Sequence, residues 1–381
     1  MTLAAVAPIP LGGGAAQAKS FSVLHSFTGT PDGGRPVAAV IEVGGTLYGT
    51  TLEGGANNYG SVFTITPAGA EAVLYSFQGG ADGEGPEANL LNVGGVFYGT
   101  TAGGGNGGCG TVFKITAAGV EAVLYAFGAA QNDGCGPVGG LINVNGTLYG
   151  TTYGGASSGR GTVFKVTRSG KETVLHSFGA NGDGSYPEAG LMNVGGTLYG
   201  TTLEGGVDDL GTVFTISRAG KEAVLYAFQY GSDTNGPMAP LLDVGGTLYG
   251  TATGGGGTSC DQQKYSCGAV FTITPKGREA VLYSFQGKPD GMLPEAGLIN
   301  VDGNLYGTTA WEGDGKNCAG HGCGTVFKLT PAGAETVVHS FTNGQGIYPS
   351  CSLLKLGHRL YGTTPEFGGS GDGSVFRVND H

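Results

Sequence analysis

The sequence predicts an all-β fold, a seven-bladed β-propeller, from three observations. A unit of about fifty residues recurs seven times. Each unit reads as four short strands joined by tight turns. The repeat is out of phase with the chain, opening on the fourth strand of a unit and closing on the third.

The period is read from Tyr-Gly-Thr-Thr/Ala, which begins at Tyr48, Tyr98, Tyr149, Tyr199, Tyr249, Tyr306 and Tyr361, at spacings of 50, 51, 50, 50, 57 and 55 residues. A Val-Phe pair follows each one, ending at Phe63, Phe113, Phe164, Phe214, Phe271, Phe327 and Phe376. A Val-Leu-Tyr/His-Ser/Ala-Phe-like element ends at Phe27, Phe77, Phe127, Phe178, Phe228, Phe285 and Phe341. Gly (80 residues) and Pro (16) make up a quarter of the 381 residues. Without a period that composition belongs to disordered chains; with one it signals many turns. Glycine inside helices costs about 1 kcal/mol each, so a helical protein is excluded. No apolar run approaches the ~20 residues of a membrane span.

Strand A of a unit is the apolar run before a turn pair, as in residues 90–93. Strand B is Thr-Leu-Tyr-Gly-Thr-Thr. The turn between them is Gly44-Gly45, Gly94-Gly95, Asn145-Gly146, Gly195-Gly196, Gly245-Gly246 or Asp302-Gly303, pairs that tolerate positive φ at both positions of a primed hairpin turn. Gly357-His358 is the poorer seventh match. Strands C (Gly-Thr-Val-Phe-Lys-Ile-Thr) and D (Glu-Ala-Val-Leu-Tyr-Ser-Phe) carry the β-branched and aromatic residues that suit a pleated surface. Strand D opens the chain at residues 23–27 and strand C ends it at 375–378. The expected closure therefore pairs residues 20–28 with 373–379, hiding both edges. A β-helix, with shorter rungs, would not need two tight hairpins per repeat.

The A–B and C–D turns lie on one face, and the longer D–A and B–C loops on the other. The B–C loop has 8 residues in blades 1, 2, 3, 4 and 7, but 15 in blade 5 (253–267) and 14 in blade 6 (310–323). Loops on a rigid scaffold carry function, so this is the expected working face. Residues in every blade are read as fold, and those that break the pattern as function. Under that rule the Asp-Gly-x-x-Pro element is structural, with Asp32, Asp82, Asp133, Asp183, Asp233, Asp290 and Asn343 capping nearby N–H groups. His25, His176 and His339 replace Tyr75, Tyr125, Tyr226 and Tyr283 at a packing position with a polar tip. The Thr pairs are read as hydrogen bonders of the fold.

The symmetry breakers are Trp311, the single Trp, with Glu312, Asp314, His321 and Tyr265 in the two long loops. Glu53, Glu204 and Glu366 lie in shorter B–C loops, Tyr186 and Tyr348 in D–A loops. Trp and Tyr stack on sugar faces and carboxylates bond hydroxyls, so Trp311, Glu312, Tyr265, Glu366, Glu204 and Glu53 are the expected ligand-binding set. Trp311 packing beneath its own loop is the structural alternative. Two converging carboxylates could also serve a glycosidase or lyase as acid and base. The sequence shows no nucleophile elbow, P-loop, HExxH or dinucleotide fingerprint.

Seven cysteines give three expected disulfides, Cys109–Cys135, Cys260–Cys267 and Cys318–Cys323, with Cys351 left as a buried thiol. A zinc site at Cys318, His321 and Cys323 lacks a second ligand pair. No cofactor is expected; the alternative reading of the Asp ring is a set of carboxylates near the pore mouth able to hold Ca²⁺, without EF-hand or RTX spacing to support it. A net charge of −11 without any basic run makes nucleic acid and anionic membranes poor partners. Residues 1–18 end in Ala16-Gln17-Ala18, like a secretory signal without its basic start, with a disordered N-terminal extension as the alternative. The remaining 19–381 form one domain.

The unit Leu-Tyr-Gly-Thr-Thr…Gly-Thr-Val-Phe-Lys-Ile-Thr…Val-Leu-Tyr-Ser-Phe, recurring over residues 20–379, resembles the repeat of bacterial exported proteins called choice-of-anchor tandem repeat GloVer-containing proteins. The resemblance implies a secreted or surface protein and carries no catalytic residue across. Members often end in an anchoring tail. This chain ends at Val378-Asn379-Asp380-His381, so free secretion is the expectation. The expected function is extracellular binding of a glycan or protein by a monomer, without membrane insertion, and a carbohydrate-active enzyme is the alternative.

Overall fold

The computed structural model describes residues 21–380 apart from 180–181, 232, 258, 261–264, 316–317 and 319–321. The signal-like segment 1–18 and His321 lie outside the described residues, as do the side chains of Cys260 and Tyr265. Seven four-stranded antiparallel sheets form a ring. In blade 1 the order from axis to rim is Ile41–Val43, Thr46–Thr51, Ser61–Ile65 and Glu71–Ser76. Five further blades repeat this order. In the seventh, Leu354–Leu356, Arg359–Thr364 and Ser374–Asn379 are completed by Phe21–Ser26 from the other end of the chain. Phe21 pairs with Val378 and Ser26 with Ser374, the expected closure. Two single-turn 3₁₀ helices, Gly80–Asp82 and Asn343–Gln345, are the helical elements among the described residues, and no helix there is long and apolar enough to cross a membrane.

The repeated residues explain the ring. The Val-Phe ring of strand C lies over the Gly of Tyr-Gly-Thr-Thr on strand B: a Cβ on Gly49 would come 2.4 Å from Phe63 Cζ. The strand C ring also meets the Phe ending strand D of the preceding blade edge-to-face, as Phe27 meets Phe63 at 5.0 Å between centroids and Phe341 meets Phe376 at 4.9 Å. This contact recurs at all seven junctions. In six blades the first Thr reaches across the junction, as Thr50 Oγ1 donates to the Ala88 carbonyl (3.1 Å) and Thr363 Oγ1 to that of Ala38 (3.0 Å), whereas the buried Thr100 Oγ1 of blade 2 makes no hydrogen bond. The second stays in its blade, bonding the start of strand C, as Thr51 bonds Ser61 (2.8 Å). In the A–B turns Gly44 and Gly45 have φ of 62° and 84°, and Asn145 and Gly146 of 52° and 86°. At the seventh turn only Gly357 is left-handed (φ 57°), as a Gly-X turn requires.

Each junction also carries a polar knot. Tyr75 donates to Asp82 (2.9 Å), whose other oxygen caps the Gln78 N–H (2.7 Å), and Glu121 of the next blade packs beside them. Tyr125–Asp133–Glu172, Tyr226–Asp233–Glu279 and Tyr283–Asp290–Glu335 repeat the arrangement. In the seventh loop the Asp position is filled by Gln345, not Asn343. Gln345 Oε1 lies 3.1 Å from His339 Nε2 and accepts from the Thr342 N–H. The sequence misleads here because Asn343-Gly344 imitates Asp-Gly. The proline spacing decides otherwise: Gln345-Gly346-Ile347-Tyr348-Pro349 keeps the offset of Asp290-Gly291-Met292-Leu293-Pro294.

Cys109–Cys135 joins the blade 2 B–C loop to the next D–A loop, with Cα atoms 4.5 Å apart, and Cys318–Cys323 closes the blade 6 loop. Cys267 is disulfide-bonded, and Cys351 is a buried free thiol.

Candidate functional site at the channel mouth

In every blade the D–A loop and the B–C loop are stitched by a short antiparallel bridge, such as Gly34 with Glu53, Ser185 with Glu204, Met292 with Trp311 and Ile347 with Glu366. Glu53, Glu204, Trp311 and Glu366 are thus one structural position on four different blades. Blades 6, 7 and 1 are consecutive in the ring, which puts Trp311, Glu366 and Glu53 on neighbouring blades and Glu204 apart from them. Glu53 is exposed and paired with Arg35 (2.7 Å). Trp311 is partly buried and packs against the core cluster containing Cys267, Phe285 and Met292. Its ring lies 5.9 Å from Tyr348. Glu312 is largely buried, 3.6 Å from Lys288 Nζ.

The convergence lies closer to the axis. The residue after each loop proline turns into the channel: Val37, Glu87, Val138, Glu188, Met238, Glu295 and Ser350. Together with Tyr153 they line a mouth of about 420 Å³. Below it, a cavity of about 320 Å³ narrows where small residues of the inner strands meet. A Cβ on Gly190 would lie 2.7 Å from the Gly140 carbonyl oxygen. Three glutamates therefore face one mouth from blades 2, 4 and 6. Burial, reinforced by Glu87 and Glu295, pushes the Glu188 carboxyl up to about 7. Burial raises Glu87 too, against the opposing Arg35, and it raises Glu295. In the sequence the trio shows only as Glu after the loop proline in three blades of seven, a break in the repeat that does not reveal the shared mouth.

The rim bears strain and aromatic rings. The residue before each proline has positive φ. In three blades it is Gly, but in four it is Arg35 (54°), Tyr186 (56°), Leu293 (57°) and Tyr348 (60°). A non-Gly residue in this region costs about 1–2 kcal/mol, and such strain gathers at functional sites. Tyr186 stacks at 4.9 Å against Tyr153, which is exposed and whose hydroxyl is raised by burial and by Glu188. The Tyr153/Tyr186 pair stands at the junction of blades 3 and 4, and Trp311/Tyr348 at that of blades 6 and 7.

The Gloeobacter/Verrucomicrobia repeat profile matches residues 15–206, 122–262 and 257–381, virtually the whole propeller. The chain belongs to that repeat family. No curated protein sequence matches it. Among solved structures, this repeat protein is similar to a puromycin hydrolase (13% identity, 92% of this chain and 52% of the other, TM-score 0.56). It is also similar to a puromycin-hydrolyzing peptidase of Mycobacterium tuberculosis (10%, 93% and 54%, TM-score 0.55). A putative 6-phosphogluconolactonase from Bacteroides uniformis follows (15%, 84% and 88%, TM-score 0.51). The chain spans about half the length of the first two. At these identities the likeness is one of fold.

Proposed function

We propose that this repeat protein is an exported binding propeller that takes a glycan at the channel mouth. One observation carries the reading: three carboxylates that depart from sevenfold symmetry, Glu87, Glu188 and Glu295, line that mouth together with Tyr153, against which Tyr186 packs. Carboxylates accept hydrogen bonds from sugar hydroxyls, and ring faces cover the apolar faces of pyranoses. The disulfides suit an oxidising compartment and so support export. The opposite face offers only turns of a few residues.

A glycan array with the wild type and the Tyr153→Ala, Glu188→Gln and Trp311→Ala variants tests this. The wild type binds a defined glycan class. Tyr153→Ala weakens it about tenfold, as the loss of roughly 1.4 kcal/mol of stacking would. An array without signal, or binding indifferent to all three changes, overturns the reading.

An enzymatic reading draws on Glu188, whose pKa near 7 beside two further carboxylates suits a general acid. Cleavage of a bound glycan, abolished by Glu188→Gln, would select it over simple binding.

A further inference from the structure

Two of the junction knots differ from their sisters in chemistry. Where four have a Tyr, those between blades 7 and 1 and between blades 3 and 4 have His25 and His176. The three potential ligand atoms of His25, Asp32 and Glu71 all lie within 4.8 Å of one another, as do those of His176, Asp183 and Glu222. His25 Nε2 is 3.1 Å from Asp32 Oδ2, and His176 Nε2 is 2.9 Å from Asp183 Oδ2. Two ligands each about 2.1 Å from a tetrahedral ion are about 3.4 Å apart, so these pairs need to open by only a few tenths of an ångström to hold one between them.

We propose that both histidine knots bind a first-row divalent metal ion, zinc being the best fit to one imidazole nitrogen and two carboxylates. Several observations point the same way. Glu71 Oε1 and Glu222 Oε1 are sealed from water and accept no hydrogen bond, as are the matching Glu oxygens of the four tyrosine knots, but only the histidine knots set an imidazole nitrogen beside that free acceptor, and at the first of them Asp32 Oδ1 is unpartnered as well. Each imidazole is held edge-on by the Phe two residues along, with centroids 4.8 Å apart (His25–Phe27, His176–Phe178), so Nε2 is fixed toward the carboxylates. Both imidazoles keep 21% of their side-chain surface exposed, enough for an ion to enter. Imidazole with carboxylate favours zinc and its neighbours, whereas an all-oxygen set would favour Ca²⁺ or Mg²⁺.

The fold supplies its own controls. In the tyrosine knots the phenol is pushed up by burial and by its Asp, so it keeps its proton and donates instead of ligating. The third histidine of this series, His339, faces Gln345, a neutral amide. The expected count is therefore two ions, not three or seven. The first site ties the ring-closing strand Phe21–Ser26 to blade 1, so its ion would clamp the closure.

The test is zinc titration of chelator-treated full chain, read by calorimetry and native mass spectrometry. The wild type is expected to take two zinc ions at micromolar concentration. His25→Tyr and His176→Tyr each take one, and the double variant none. Tyr is what four sister knots carry, so these variants keep the fold, checked by their metal-free melting temperatures. Zinc should raise the melting temperature of the wild type but not of the double variant. Glu71→Gln with Glu222→Gln is the second route and should also abolish both ions. A wild-type count other than two, or zinc binding that persists in both double variants, overturns the proposal.

Discussion

Glycine 49 and its six counterparts show how single residues hold this fold. Each lies under a Phe ring, and added methyls collide; on Gly200 a Cβ would sit 2.4 Å from Phe214 Cζ. Gly200→Ala should therefore cost about 1–3 kcal/mol as the ring shifts within a filled core, read as a lower urea midpoint with unchanged slope. The A–B turn glycines tell the opposite story. A Cβ on Gly44 or Gly45 meets nothing, and only their left-handed backbone demands Gly or Asn there. The repeat motif shows both kinds of glycine to the sequence reader but gives no way to tell them apart.

Among the elements, the opening strand decides most. Phe21–Ser26 supplies the fourth strand of blade 7, and Phe27 extends its packing onto Phe63 of blade 1. Removing residues 1–28 leaves strand Ser374–Asn379 with a bare edge and opens the ring. The truncated chain should melt far below the parent or aggregate; a melting temperature equal to the parent's would contradict closure by this strand. The seven-unit phase of the sequence made this element legible. The D–A loops were less so. Asn343-Gly344 passed for Asp-Gly because local resemblance ignores the one-turn helix that brings Gln345 to the Asp position.

For the molecule as a whole, the junction knots couple stability to pH. Burial, with the adjacent Asp, pushes Glu121, Glu172, Glu279 and Glu335 up to about 7. Glu188 at the mouth joins them. Relative to an unfolded value of 4.5, the native state then holds more protons between pH 4.5 and about 7. Their contribution is complete below 4.5 and lost as pH rises through 7. His339, lowered to about 4 by burial, acts the other way, costing stability as pH falls below 6.5. Four knots and the mouth outweigh one histidine, and a net charge of −11 adds repulsion at high pH. Urea unfolding should give a higher midpoint at pH 5 than at pH 8, and the reverse order would refute the shared burial of these acids.

By itself the sequence determined the number of blades, the strand order, the closure, the two faces and the pairing of Cys109 with Cys135. All of these follow from local turn chemistry repeated in register, and a sevenfold repeat states local chemistry seven times. What only the tertiary structure decided is which symmetry breakers meet. Glu53, Glu204, Trp311 and Glu366 stand out along the chain, yet they share one ring position and are set apart by blade. Glu87, Glu188 and Glu295 lie about a hundred residues apart in sequence and face one mouth, because circular closure turns equal positions in distant repeats toward a common axis.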